Sequence, residues 1–193
     1  MALISARTII TSLSLFHITL AFFFITDPAT IADQALVYML GESMGMPHAR
    51  SFENKSPALA FLGAVLGMMG FTDLVTLGMP EEVWVDHHWG TQAPARLFLS
   101  LCFVIYTFVF GPSSPLYGGL NRGGRFAHPS AHARNPHYTP STWGGDGLKN
   151  RVFLTFAFLE MVTWFWVWVT LREEQEQIAR ERVKRRGDPS FTQ

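Results

Sequence analysis

A chain of 193 residues is a length for one domain, and a formal net charge of +0 gives no general attraction to nucleic acid or to an acidic partner. Hydrophobic residues make up 48% and charged residues only 16%, below the roughly 25% of a soluble domain. A single cysteine, Cys102, excludes an intramolecular disulfide and a cysteine-rich zinc site; inside an apolar block it is expected to act as a small core side chain.

The apolar residues gather into four blocks, at 9–25, 58–77, 93–110 and 150–171. Each is about as long as a helix needs to cross a bilayer core of roughly 30 Å. The runs are continuous rather than strictly alternating, so helices are expected rather than barrel strands. The fold class is therefore all-α: a polytopic membrane protein with four transmembrane helices. One transmembrane domain is expected over 1–175, with a charged tail over 176–193.

The first block follows Arg7 and is longer than a signal-peptide core, and no convincing cleavage site succeeds it. It is expected to stay as an uncleaved anchor. Asp27-Pro28 then stops the helix. Residues 29–46 are amphipathic, with Ile31, Leu36, Met39 and Leu40 among Asp33, Gln34 and Glu42. The pattern fits a helix on the membrane surface and fits equally a short helix packed on the bundle. In the second block, Gly63 and Gly67 have the spacing that lets two helix backbones approach closely.

The stretch 81–92 is dense in Trp, Asp and His. Adjacent residues rarely ligate a metal together, so an interfacial loop anchored by Trp84 and Trp89 is expected, with no metal. Repeated Gly and Pro make 111–147 an irregular excursion, and its His128, His132 and His137 lack the spacing of a metal site. The last block carries Trp164, Trp166 and Trp168 in its far half, where an aromatic belt would lie. Behind it a solvated helix is expected. Glu176 with Arg180 and Glu181 with Arg185 stand at i,i+4 in the favourable order. Its cations Arg180, Arg182, Lys184, Arg185 and Arg186 are candidates for contact with anionic head groups or with a partner. Cations divide almost evenly between the two sides of such a topology, and the basic tail favours both termini in the cytoplasm.

Ionisable residues inside the spans are costly unless paired or facing a polar cavity. Asp73 lies about one turn from the end of the second span and Arg96 about one turn into the third. The two ends share a side, so an ion pair is expected. His17 and Glu160 both lie near mid-span, which permits a hydrogen bond if the first and last spans touch. A polar clasp or partner contact is the leading expectation for Glu160. The alternative is a small proton- or ion-coupled transporter or channel that uses Glu160 and Asp73. Internal repeats and broken helices, which transporters commonly show, are not evident in the sequence. Nor does it carry a catalytic serine, zinc-protease or phosphate-loop motif. No enzyme activity and no cofactor are expected.

Three stretches, in this order, resemble the fungal family called "increased loss of mitochondrial DNA protein 1". They are Gly70-Phe71-Thr72-Asp73-Leu74, Pro94-Ala95-Arg96-Leu97, and the run from Lys149 and Arg151 through Phe158-Leu159-Glu160 to Leu171-Arg172-Glu173-Glu174. The resemblance covers most of 1–175, and the long loop 111–147 departs from it. It implies a small multi-span protein of the endoplasmic reticulum membrane, linked genetically to mitochondrial DNA maintenance, and it carries over no catalytic residues. Together these features predict a non-enzymatic membrane subunit or scaffold. Its expected partners are membrane lipids and other membrane proteins in a larger complex, with no direct contact to nucleic acid.

Overall fold

Ser5 opens the first helix: its backbone is extended and its hydroxyl accepts from the Thr8 N–H, which satisfies one of the orphaned donors of the first turn. Helix α1 then runs Ala6–Thr26 and ends at Asp27-Pro28. The computed structural model describes residues 4–110 and 144–187, apart from the side chains of Glu82 and 185–187. Every regular element among the described residues is helical. Most of the predicted excursion over 111–147, with its three histidines, lies outside them; its end, Gly144–Leu148, is a short 3₁₀ helix.

Two short helices follow α1: α2 (Ala29–Ala32) and α3 (Ala35–Ser43). Of the two placements open to this segment, the structure shows packing on the bundle. Ile31, Val37 and Gly41 are buried, while Leu36, Tyr38 and Met39 face outward. A Cβ on Gly41 would lie 2.6 Å from the Arg151 side chain, so only glycine lets α3 approach so closely. Gly45 turns the chain away from α3 at φ 61°, a conformation that costs glycine nothing.

Helix α4 (Pro57–Thr76) starts with a Ser56 cap and a proline at its first position. Next come α5 (Glu81–Val83), a π-helical turn (Trp84–Trp89) and α6 (Gly90–Val109), which run on without interruption. The interfacial loop expected over 81–92 is thus corrected to a helical entry into the third span. Trp84, Val85 and Trp89 are buried there, at 3%, 0% and 0% exposure. A separation of five residues splays two side chains apart on an α-helix but matches the i→i+5 period of a π turn. The turn therefore brings Trp84 and Trp89 onto one face, where a 3.6-residue period hides the pattern. Last comes α7 (Arg151–Gly187), 37 residues and so about 56 Å long, well beyond the apolar core of a bilayer.

Among the described residues, four helices are long and apolar enough to span a membrane: α1, α4, the π turn with α6, and α7. The protein is a multi-pass membrane protein. Helix α1 packs against α4 and α7, and α6 packs against α7. One cluster of buried side chains lies at the end where α1 begins, formed by Ile10, Leu13, Trp84, Trp89, Trp164 and Leu171. A second lies at the opposite end and includes Phe24, Ile31, Val37, Leu66 and Val152.

The α1–α4 contact is built on glycine. A Cβ on Gly63 would meet the Ala21 carbonyl oxygen at 2.9 Å, and one on Gly70 would meet the Ser14 carbonyl oxygen at 2.6 Å. The glycine stripe of the second span therefore seats α1 of the same chain. Gly70→Leu is expected to force α1 and α4 apart and to lower stability by about 2 kcal/mol, within the range for overpacking. Gly78→Ala, where the nearest atom is 3.2 Å away, should be far milder. Unfolding of both variants in mixed micelles checks this.

Two further expectations are corrected. Cys102 is exposed rather than in the core, on a helix whose Phe98, Leu101, Phe103 and Ile105 also face outward. Lipid tails are as apolar as leucine, so an apolar position in a span does not indicate burial in protein. Trp164 is not part of an interfacial belt: it is 0% exposed, whereas Trp166 is 49% exposed. On one helix, neighbouring tryptophans two residues apart must point to different sides.

Candidate functional site

The site is a chain of polar and aromatic contacts that crosses all four spanning helices. It begins on α4 with Asp73, 4% exposed, about one turn from the helix end. Arg96 of α6 meets it in a two-pronged ion pair. Nη1 donates to Asp73 Oδ2 at 2.6 Å and Nη2 to Oδ1 at 2.9 Å. Both carboxylate oxygens are engaged by the guanidinium fork, and the charges cancel.

The Arg96 guanidinium also lies against two indoles. Its central carbon is 5.2 Å from the Trp89 ring and 4.9 Å from the Trp164 ring. The rings themselves stack, with centroids 5.4 Å apart and an interplanar angle of 19°. A cation over an aromatic face gains about 2 kcal/mol where water is excluded. Arg96 thus bridges α4, the π turn and α7.

Trp164 carries the chain onward. Its Nε1–H donates to Glu160 Oε2 at 2.7 Å, one turn back along α7. The other oxygen, Oε1, lies 2.6 Å from His17 Nε2 of α1. His17 is 0% exposed, and its Nδ1 has no partner among the described residues. A protonated Nδ1 would be an orphaned buried donor, so the geometry suits an imidazole that donates through Nε2. Phe16 and Phe156 flank the imidazole, with centroids 6.0 and 6.1 Å away.

The pairs Asp73–Arg96 and His17–Glu160 are therefore brought together and also joined to each other. Depth along the spans makes each pair legible in sequence. The link between them is not: Trp89 and Trp164 are the residues missed. One signal was present, because Glu160 and Trp164 stand at i,i+4 on a single helix face. The π turn concealed Trp89.

The tail cations have varied surroundings. Arg180 is exposed and pairs with Glu176 at 3.5 Å. Arg182 reaches back to Asp86 at 3.0 Å, so this cation is tied to the bundle rather than simply solvated. Lys184 is exposed. The side chains of Arg185 and Arg186 lie outside those described. Nearer the bundle, Gln175 donates to the Val85 carbonyl at 3.1 Å, a carbonyl in the π turn. Glu174 accepts from the Ala6 N–H at 2.9 Å. Burial holds the Glu174 carboxyl above the usual carboxylate range, against the lowering effect of the Ala6 N–H and with a raising contribution from Glu81. These contacts dock the turns after Leu171 onto the start of α1 and the π turn.

At the opposite end, Arg151 ties α3 to α7. It donates to the Met46 carbonyl at 3.2 Å and to Glu42 at 3.4 Å, and it lies 5.4 Å from the Tyr38 ring. No group of three or more His, Cys, Asp or Glu side chains suited to a metal ion occurs among the described residues.

A family model described as "Increased loss of mitochondrial DNA protein 1" matches residues 4–181. The chain belongs to this family. Membership links it to mitochondrial DNA maintenance. The match takes in every residue of the polar chain and Arg180, and ends just before Arg182. No curated protein and no solved structure matches this chain.

Proposed function

We propose that this protein is a non-enzymatic integral membrane subunit or scaffold, resident in the endoplasmic reticulum, through which the family's link to mitochondrial DNA maintenance is exerted. One observation carries the proposal: the ionisable groups within the spans engage one another. Both oxygens of Asp73 are bound by Arg96, and the two oxygens of Glu160 are bound by His17 and Trp164. Such a chain locks helices together. It also leaves the large apolar side chains of α4 and α6, such as Phe71 and Phe98, facing outward toward lipids or toward a neighbouring membrane protein. Transport through Glu160 and Asp73 is the weaker reading, because these carboxylate oxygens are already committed to protein donors.

The expected partners are membrane lipids and other membrane proteins in a larger complex, and both termini are expected in the cytoplasm. Purification of the full chain in mild detergent should recover a larger complex, with one partner present in stoichiometric amount. Recovery only as a lone monomer would count heavily against the subunit reading. A protease-accessibility assay on sealed microsomes, with tags at both ends, tests the orientation: both tags should be cleaved without detergent.

A further inference from the structure

Beside the polar chain, α1 and α7 part. The gap is a groove of about 330 Å³, walled by Phe16, Leu20, Phe24, Val152, Phe156 and Leu159 and closed at one end by α2 and α3. We propose that this groove is a binding site for one acyl chain of a membrane lipid, drawn from the leaflet at the α2–α3 end.

The chemistry of the wall selects the guest. Four polar side chains reach the groove, and each already has a partner within the protein. Thr19 donates to the Leu15 carbonyl at 2.8 Å and Thr155 to the Arg151 carbonyl at 2.8 Å. Thr30 donates to Asp27 at 2.8 Å, and Gln34 to the Thr30 carbonyl at 3.0 Å. With their donors used inside the protein, the threonines add methyl groups to an aliphatic and aromatic surface. A polar ligand would lose its hydration there and gain little in return.

The length agrees. The groove extends from Phe24 to Phe16 on α1, eight residues or about 12 Å, and from Val152 to Leu159 on α7, seven residues or about 10 Å. Half of a bilayer core is about 15 Å, so the groove covers most of one leaflet and stops near mid-membrane. An unbranched chain laid along α1 and α7 meets apolar side chains over that whole length. Between membrane helices, the apolar molecules in excess are lipid chains.

The site also touches the clasp. Phe16 and Phe156 line the groove and flank the His17 ring, so an occupant packs against the side chains that hold His17 on Glu160. The site does not depend on the subunit reading, since a lone protein would hold the lipid equally well.

The test uses the full chain in phosphatidylcholine vesicles containing a phosphatidylcholine with a diazirine in one acyl chain. Photolysis should label the segments 16–24 and 152–159 at least five-fold more than 98–108, which lies on the outward face of α6. Filling the groove with Thr19→Phe and Val152→Phe should remove that excess and leave the labelling of 98–108 unchanged, which also reports that the variant remains inserted. A milder single variant, Thr155→Leu, should reduce the excess in part, so the outcome does not depend on the double variant folding. Equal labelling of the three segments in the unmodified chain would overturn the proposal. So would labelling of 16–24 and 152–159 that is insensitive to both variants. Crosslinks from the two segments to a second protein chain instead of lipid would overturn it as well.

Discussion

Asp73→Ala is expected to destabilise the bundle by about 3 kcal/mol, the low end for breaking a buried ion pair by removing one partner. The loss follows from what remains. Arg96 would keep its charge, with its side chain 24% exposed, and face the stacked indoles with no counter-ion. The partly exposed guanidinium keeps some contact with solvent, which keeps the cost from being larger. Arg96→Met alone should cost about the same, since it leaves the Asp73 carboxylate buried and unpaired. The double variant is the informative one. With both charges gone, the site is an apolar contact between two membrane helices, so it should recover at least half of the loss. Reversible unfolding in mixed micelles, followed by circular dichroism, measures all three. If the two single losses simply add in the double variant, the ion pair does not couple α4 to α6.

Glu160→Leu should have the next largest effect, about 2 kcal/mol. The change removes the acceptor for both His17 Nε2 and Trp164 Nε1, two buried donors that lie 2.6 and 2.7 Å from it. In water-excluded protein each orphaned donor costs about 1–3 kcal/mol. Hydrogen bonds between membrane helices average only about 0.6 kcal/mol, because the alternative state also finds partners, and this brings the expected total down. Glu160→Gln keeps one acceptor oxygen and should lose about half as much. Adding His17→Phe to Glu160→Leu removes one orphan and should restore part of the stability. A second readout separates this clasp from general damage. Trp164 is the indole bound to Glu160, so its fluorescence should shift in Glu160→Leu and not in Gly63→Leu, which disturbs α1 and α4 beside Ala21, Phe24 and Ile25 instead. Unchanged emission together with unchanged stability would mean that the 2.6 Å contact does not hold α1 to α7.

Much of this architecture is legible in the residues. A span needs only length and apolar composition, both local properties, so the four crossings follow from the chain alone. Depth is local too. Counting residues from the span ends places Asp73 beside Arg96 and His17 beside Glu160, because a helix rises by a fixed amount per residue. The glycine spacing of the second span likewise marks a close backbone approach.

Direction around a helix is harder to read in a membrane. In water, periodicity separates core from surface. In lipid both sides of a helix are apolar, so Cys102 and Trp164 were each expected on the wrong side. The π turn adds a phase shift that hides Trp84 and Trp89 from a 3.6-residue count. The amphipathic segment 29–46 fitted a surface or a packed position equally well. The close seat of Gly41 on Arg151 decides for packing, and that is a contact between residues more than 100 positions apart.

The chain's own composition thus settled the class, the number of crossings and the pairing depths, because each depends on properties that a single helix carries. The tertiary structure alone decided that two separate pairs form one chain through stacked Trp89 and Trp164, that α1 sits on the glycine face of α4, and that α1 and α7 leave a groove beside the clasp. These are relations between the faces of different helices. In a bilayer, hydrophobicity does not distinguish such faces, and only packing and hydrogen bonds do.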